Sequence, residues 1–301
     1  MHLDRTPIFE RLAGASSILI AGAGGGFDFF SGLPLYFRLR EGGQEVHLAN
    51  LSFSRLERAR ERRLIHGMTR VDADSEGRAE YFPEAYLCQW FRTHGEAIGV
   101  WCFPRLGGRP LAEAYDALVT ELGVDAVVLV DGGTDILMRG DEERLGTPWE
   151  DIASLAAVDA IAVPQKFVVC LGFGVDAFHG VCHAHVLEAV AATIKTGGFL
   201  GAVSLLAEMP EVRKYLEAVE YVGARMPRSA SIVCSSIVSA LEGEYGDHHR
   251  NERTKGSELW INPLLSLLWA FELEAVARRC IYLEAVKATG DMGEITRVIH
   301  D

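Results

Sequence analysis

Short apolar and β-branched runs alternate along this chain with amphipathic stretches of helical periodicity, and no other feature limits the fold as strongly. Helical patterns cover residues 111–122, 184–196 and 209–222, for example. Several apolar runs have no polar face, as expected for strands that helices cover on both sides of a parallel sheet. The alternation therefore predicts βαβ units. The candidate strands are residues 17–21, 45–51, 96–102, 126–130, 167–171, 200–205 and 230–235.

No linker rich in proline, glycine or serine divides the 301 residues, and no internal repeat is present. We therefore predict one α/β domain over residues 1–301, with a Rossmann-like, doubly wound, mostly parallel sheet and helices on both faces. A polar loop at 242–253 and a helical C-terminal extension from about residue 263 form an appended part. Its apolar helix, residues 264–277, either packs across the sheet or makes a homodimer interface.

Composition limits the partners. Lys and Arg number 29 against 42 Asp and Glu, which gives a net charge of −13, and no basic block is longer than the arginine-rich helical run at 55–63. Nucleic acid and anionic membranes are therefore excluded as expected partners. The six cysteines form no CxxC pair, which indicates reduced thiols. We see neither a signal-peptide core nor a membrane-spanning run, so we expect a cytoplasmic protein.

The first predicted strand runs into a glycine-rich loop, AGAGGGFD at residues 21–28. The amides of Gly24, Gly25 and Gly26 could bind an anion such as a phosphate. A nicotinamide fingerprint is not matched, because the third glycine position holds Phe27 or Phe29 and the second strand has no acidic residue at its end. Asp28 either caps the next turn or orients a ligand hydroxyl or amine. An NAD(P)-dependent oxidoreductase is therefore the less favoured function.

The strand at 126–130 leads into the acidic stretch DGGTDILMRGDEERLGTPWED, residues 131–151. Asp131 stands at the strand end, and Asp135 can reach it if the turn at Gly132 and Gly133 folds back. The two carboxylates could bind Mg²⁺ or ligand hydroxyls, or serve as acid and base in catalysis. The sequence does not identify a cofactor, but Mg²⁺ is the metal that Asp131 and Asp135 could bind.

The rest of the acidic stretch predicts a turn followed by a helix. Residues 139–142 fit a turn, and we assign ligand contacts to Asp141 and Glu142. Thr147 and Pro148 fit the start of a helix over residues 149–158. We expect Glu143, Glu150 and Asp151 to be solvated or to stabilise that helix start.

A third strand end, at residues 172–176, carries Gly174 and Asp176. Because the carboxyl ends of parallel strands share one edge, the three glycine-bearing strand ends predict one ligand crevice. His179 and His183 follow and could bind zinc from one helix face; the alternative is a polar helix start with exposed histidines.

The polar segment 239–253 lies between two apolar runs and fits a loop that carries binding groups. We predict His248 or His249 as a general acid or base, and Arg250 as a ligand for phosphate or carboxylate. The alternative is a solvated turn. No nucleophile motif such as GxSxG is present.

With these motifs quoted, the chain resembles an uncharacterised family, the domain-of-unknown-function family numbered eleven fifty-two. The resemblance rests on AGAGGGFD at residues 21–28, the long stretch 129–151 and GFGVD at 172–176, and it spans most of the first 200 residues. It implies a Rossmann-like fold and assigns no catalytic residue.

The sequence as a whole predicts that a small polar metabolite, phosphorylated or nucleotide-like, binds at the carboxyl edge of the sheet. An enzyme assisted by a metal or by acid and base catalysis, and a ligand-binding module without turnover, both agree with these residues.

Overall fold

The computed structural model describes residues 5–56 and 64–300, so most of the arginine-rich run lies outside the described residues. The strands are β1 (Ser17–Gly22), β2 (Glu45–Leu51), β3 (Thr69–Val71), β4 (Val100–Phe103), β5 (Ala126–Asp131), β6 (Gln165–Leu171), β7 (Phe199–Ser204), β8 (Gly246–Asp247), β9 (Trp260–Ile261) and β10 (Leu267–Glu272). The helices are α1 (Pro7–Leu12), α2 (Asp28–Ser31), α3 (Leu33–Glu41), α4 (Pro83–Thr93), α5 (Gly108–Leu122), α6 (Pro148–Ala160), α7 (His183–Lys195), α8 (Pro210–Arg225), α9 (Ile232–Leu241), α10 (Leu273–Ala277), α11 (Leu283–Lys287) and α12 (Met292–His300).

Within the described ranges, eight strands form one sheet in the order β3-β4-β2-β1-β5-β6-β10-β7. The strands β4, β2, β1, β5 and β6 are parallel, whereas β3 and β10 run antiparallel to their neighbours. After β1 the chain forms β2 on one side of β1, and it later forms β5 on the other side of β1. The strand order therefore reverses between β1 and β5, where the carboxyl ends of such sheets leave a ligand crevice.

Helices cover both faces of the sheet. Alternate residues of one strand point to opposite faces, so Ile18 and Ile20 of β1 belong to a core with α1, α3, α4, α8 and α9. Leu19 and Ala21 belong to a second core with α5, α6, α7 and the C-terminal helices. The mixed α/β class, the mostly parallel sheet and the helical C-terminus predicted from the sequence are confirmed.

Two predicted elements are wrong. Residues 230–235 begin helix α9 instead of forming a strand, and the Ser231 hydroxyl accepts a hydrogen bond from the Cys234 amide at 3.1 Å as its N-cap. Residues 264–277 form a 3₁₀ turn, strand β10 and the short helix α10. The run 267–271 is apolar all round, and periodicity does not distinguish a buried strand from a buried helix. Strand β10 completes the sheet between β6 and β7.

No helix in the described part of the chain is long and apolar enough to cross a lipid bilayer. The six cysteines are free thiols, and Cys182 is the exposed one. The cytoplasmic location, the single domain and the homodimer stay predictions.

Candidate functional site

The carboxyl ends of β1, β5 and β6 border one cavity of about 440 Å³, which we call the acidic pocket. The start of α6 forms another wall. The strand ends meet there because they are parallel and adjacent across the point of order reversal. The lining residues are Gly24, Gly25, Asp28, Phe53, Arg105, Asp131, Gly132, Asp135, Thr147, Trp149, Glu150, Asp151, Asp176, His179 and Val233. Eight of the predicted site residues thus lie together, namely Gly24, Gly25, Asp28, Asp131, Gly132, Asp135, Asp176 and His179.

Gly24 and Gly133 leave room for carboxylates of the pocket. A β-carbon added at Gly24 would lie 2.6 Å from an oxygen of both Asp28 and Asp151. One added at Gly133 would lie 2.7 Å from both carboxylate oxygens of Asp176. These distances are shorter than real contacts, so any side chain at either position would displace a pocket carboxylate. Glycine at these positions therefore lets the carboxylates keep the positions that they have in the structure.

Backbone amides hold four of the pocket carboxylates in place. Such bonds fix the direction of each carboxylate and stabilise its charged form. The bonds are Gly24 N to Asp28 Oδ2 at 2.6 Å, Ile136 N to Asp131 Oδ2 at 3.1 Å, Thr147 N to Asp135 Oδ2 at 2.8 Å and Thr134 N to Asp176 Oδ2 at 2.6 Å. The turn at 132–133 thus does fold back, and it brings Asp131 and Asp135 into the same pocket.

Asp151 belongs to the pocket, contrary to the predicted solvated or capping role. It is only 2 % exposed, and its Oδ1 atom has no hydrogen-bond partner within residues 5–56 and 64–300. Helix α6 does begin at Pro148, but the Thr147 side chain makes no capping bond. Glu150 is buried as well and forms an ion pair of 2.6 Å with Arg105. The apolar run at 152–158 was the missed signal, because a helix buried nearly all round leaves its first turn no solvated face.

Burial and mutual repulsion raise the pKa of the pocket carboxyls. Burial is the main reason that the pKa of Asp28, Asp131, Asp151 and Asp176 lies well above the ordinary aspartate value, and repulsion from Asp135 raises each of them further. Burial also raises the pKa of Asp135, although the Thr147 amide and the nearby His179 oppose the shift. The pocket therefore favours protons, or another positive charge, at neutral pH.

Three of these side chains have the spacing of metal ligands. One carboxylate oxygen each from Asp28, Asp131 and Asp151 lies within 4.8 Å of the other two. In the part of the chain that the structure describes, no other set of three or more His, Cys, Asp or Glu side chains is arranged in this way. Asp135, predicted as the partner of Asp131 for Mg²⁺, lines the pocket but is not one of the three.

The predicted zinc pair is not brought together. His179 ends the 3₁₀ turn Val175–His179 and lines the acidic pocket, whereas His183 begins α7. The His183 ring packs between Phe173 and Trp260, with ring centroids 5.6 and 4.5 Å away. The two histidines share no helix face, since the turn ends before α7 begins. This corrects the prediction.

A second cavity of about 510 Å³ lies on the other side of the glycine loop, and we call it the arginine pocket. Three arginines and Tyr81 line it, and it shares Gly25, Asp28 and Phe53 with the acidic pocket. No sequence pattern indicates this set, because its members come from distant segments. The lining residues are Gly25, Gly26, Phe27, Asp28, Phe53, Ser54, Arg55, Arg78, Tyr81, Ser231, Ile232 and Arg253.

The glycine loop is fixed by its own bonds. The Gly24 amide binds Asp28, and the Gly26 amide donates to the Leu51 carbonyl at 3.1 Å. Asn50, at the end of β2, donates from Nδ2 to the Gly26 carbonyl and to the buried Glu84, both at 2.9 Å. Two of the three amides predicted to bind an anion are thus already bonded. An anion at this loop would need the arginine side chains.

Four other predicted ligand residues line neither pocket, and one of them, Gly133, lies against the Asp176 carboxylate. Asp141 forms an ion pair of 2.9 Å with Arg139. Glu142 accepts hydrogen bonds from the amides of Arg139 and Gly140, so residues 139–142 form the predicted turn. Gly174 lies against His183, Asn262 and Trp260. We therefore leave Asp141, Glu142 and Gly174 out of the candidate site.

The polar segment before β9 also differs from the prediction. His248 pairs with Glu244 at 3.4 Å, His249 with Asp247 at 2.9 Å, and Arg250 with Glu242. Neither histidine lines the acidic or the arginine pocket, and the same holds for Arg250. Arg253 is the residue of this segment that reaches the site, so the general acid or base assigned to His248 or His249 is not supported.

A family described as "protein of unknown function (DUF1152)" matches residues 66–301. Searches of curated proteins and of solved structures found no match. The matched range includes the acidic stretch and the strand end at 172–176, and it continues to the C-terminus. The glycine loop at 21–28 precedes it. The family resemblance seen in the sequence is confirmed, and the description assigns no activity. The chain belongs to this family of proteins of unknown function.

Proposed function

We propose that the crevice between β1 and β5 binds a small phosphorylated metabolite. Its phosphate occupies the arginine pocket, and its polar groups face the acidic pocket. One observation carries this proposal: two pockets of opposite charge meet at the glycine loop, where they share Gly25, Asp28 and Phe53. The loop lies at the reversal of strand order, where open α/β sheets bind ligands.

The charge distribution supports an anionic group in the arginine pocket. The chain carries a net charge of −13, yet Arg55, Arg78 and Arg253 gather around this one cavity, against Asp28 as its acidic member. Guanidinium groups form paired, charge-assisted hydrogen bonds with phosphate oxygens. A phosphate therefore fits this pocket better than a neutral group does.

The size and the polar lining support a metabolite. Cavities of about 510 and 440 Å³ fall within the usual range for small-molecule sites. Carboxylates of the acidic pocket can accept hydrogen bonds from ligand hydroxyls or hold a cation. His179 and Asp135 line the same pocket and are its candidates for proton transfer.

A dehydrogenase fits less well. The side chain at the end of β2, where an acidic residue would bind the ribose of NAD, is Asn50, and its Nδ2 is bonded to Gly26 and Glu84. Helix α2, directly after the glycine loop, has four residues, and a single turn offers little dipole to a diphosphate.

The test is a thermal-shift screen of nucleotides, sugar phosphates, NAD and NADP, each with MgCl₂ and with EDTA. A ligand at a hundred times its dissociation constant adds about 2.7 kcal/mol to the free energy of unfolding. For a ligand found in this way, we expect Arg253→Gln to weaken binding by about tenfold or more, the usual loss for a charge-assisted hydrogen bond.

Arg250→Gln is the matched control, because Arg250 lies in the same segment but is paired with Glu242 outside the arginine pocket. The proposal fails if no phosphorylated compound stabilises the protein, or if both variants weaken binding equally. Consumption of the ligand during prolonged incubation would identify an enzyme, and its full recovery a binding module.

A further inference from the structure

Asp28, Asp131 and Asp151 converge from three different parts of the chain, the loop after β1, the end of β5 and the first turn of α6. Acidic residues near one another are common on protein surfaces, but Asp131 and Asp151 are both 2 % exposed. Like charges at such distances repel strongly when water is excluded. A buried arrangement of this kind needs a compensating positive group.

Asp151 supplies the second observation. Asp151 lines the acidic pocket, and its Oδ1 atom is buried and lacks a hydrogen-bond partner among the described residues. A buried carboxylate oxygen without a partner carries a large desolvation cost. The neighbouring Gly24 has no side chain to offer Asp151, and its amide donates to Asp28 instead. The unpaired oxygen therefore points to a ligand that binds carboxylates.

We infer that Asp28, Asp131 and Asp151 form a binding site for one hard divalent cation of the Mg²⁺, Mn²⁺ or Ca²⁺ class. The donors are all carboxylate oxygens, which such cations prefer, whereas zinc sites usually contain His or Cys. A ligand hydroxyl would donate a single hydrogen, which could pair Asp151 Oδ1 but would not offset the repulsion among three carboxylates.

The spacing agrees with this assignment. Two oxygens on opposite sides of Ca²⁺ are about 4.8 Å apart, and on opposite sides of Mg²⁺ about 4.2 Å, from metal–oxygen distances of about 2.4 and 2.1 Å. The three oxygens lie within 4.8 Å of one another, a range that includes the separations of three oxygen ligands around one such ion.

The cation also connects the two pockets. Asp28 lines both, so an ion bound to it lies at their boundary, where a phosphate oxygen can complete its coordination. This step rests on the proposed function. Cation binding itself does not, because it is measured without any phosphorylated ligand.

The experiment is a titration of the full chain with Mn²⁺, in which electron paramagnetic resonance reports free Mn²⁺ at 0.15 M KCl. We expect one Mn²⁺ per chain, displaced by Mg²⁺ and by Ca²⁺. Asp151→Asn removes one ligand charge at nearly constant shape, and Gly24→Ala forces a β-carbon between two ligands. Each should weaken Mn²⁺ binding by at least tenfold.

Asp141→Asn is the matched control, because it makes the same charge change outside the pocket and should bind Mn²⁺ as the wild type does. The inference is overturned if the wild type binds no Mn²⁺, or if Asp151→Asn binds it as well as Asp141→Asn does. If Gly24→Ala does not fold, Asp151→Asn decides. A Mn²⁺ site in a protein that no phosphorylated compound stabilises would refute the proposed function alone. A phosphorylated ligand that stabilises a protein to which no Mn²⁺ binds would refute the cation site alone.

Discussion

Replacing Asp151 by Asn should stabilise the metal-free protein while it removes cation binding. Two ionised carboxylates 4.8 Å apart, the upper limit within the three-aspartate group, repel by about 3.5 kcal/mol at an effective dielectric constant of about 20. Keeping one of them protonated at pH 7 instead costs about 4 kcal/mol, given an unfolded pKa of about 3.9. The neutral amide of Asn avoids both costs. We therefore expect a gain of about 1 to 3 kcal/mol, after allowance for the amide's own burial.

The assay is thermal unfolding in EDTA at pH 7.5, followed by circular dichroism. The expected gain corresponds to a rise in Tm of roughly 1.5 to 5 °C for Asp151→Asn, whereas Asp141→Asn, which loses a half-exposed ion pair, should change Tm little. With saturating MgCl₂ the wild type should gain stability and Asp151→Asn should not. A lower Tm for Asp151→Asn in EDTA would refute the reasoning, because it would mean that the Asp151 carboxylate stabilises the fold by itself.

Three further predictions concern the pH dependence of stability and Mn²⁺ binding, the glycine loop, and the two histidines that line neither pocket. The fold raises the pKa of Asp28, Asp131 and Asp151, so in EDTA their contribution to the free energy of unfolding is most favourable below about pH 4. That contribution declines as the pH rises through the folded-state pKa values. Because Mn²⁺ displaces the protons of these carboxyls, Mn²⁺ binding should strengthen with pH, which titrations from pH 5 to 8 will measure. Asn50→Ala removes the side-chain donor of the Gly26 carbonyl and one of several donors to Glu84. It should cost about 1 to 3 kcal/mol in urea unfolding, while a change below about 0.5 kcal/mol would contradict this role for Asn50. His248→Gln and His249→Gln should leave ligand-induced shifts in Tm unchanged. If either variant lost such a shift, that histidine would have a role in the site after all.

Much of the sheet could be predicted from the sequence, because its central strands are apolar on both faces and end in glycine and aspartate. The predicted strand at 45–51 matches β2, and the predicted strand at 126–130 is one residue shorter than β5. Residues 230–235 and 264–277 were assigned wrongly because both are apolar without a clear period. Which neighbours such a run meets in the fold decides its conformation, and the local pattern does not contain that information.

The site residues at strand ends could be predicted from the sequence. Those that reach the site through packing between distant segments could not. Asp131 and Asp176 follow parallel strands, and topology alone brings them together. Asp151 has a local pattern that equally fits a helix start, and its burial depends on the sheet against which α6 packs. Arg78 and Arg253 are 175 positions apart and meet at one cavity, so no local pattern links them.

A crystal structure of the protein grown with MnCl₂ and inorganic pyrophosphate, with anomalous data that locate manganese, tests both proposed sites at once. We expect one anomalous peak in contact with Asp28, Asp131 and Asp151, and phosphate density beside it towards Arg78 and Arg253. An acidic pocket without a peak, or pyrophosphate bound elsewhere on the molecule, would contradict that expectation.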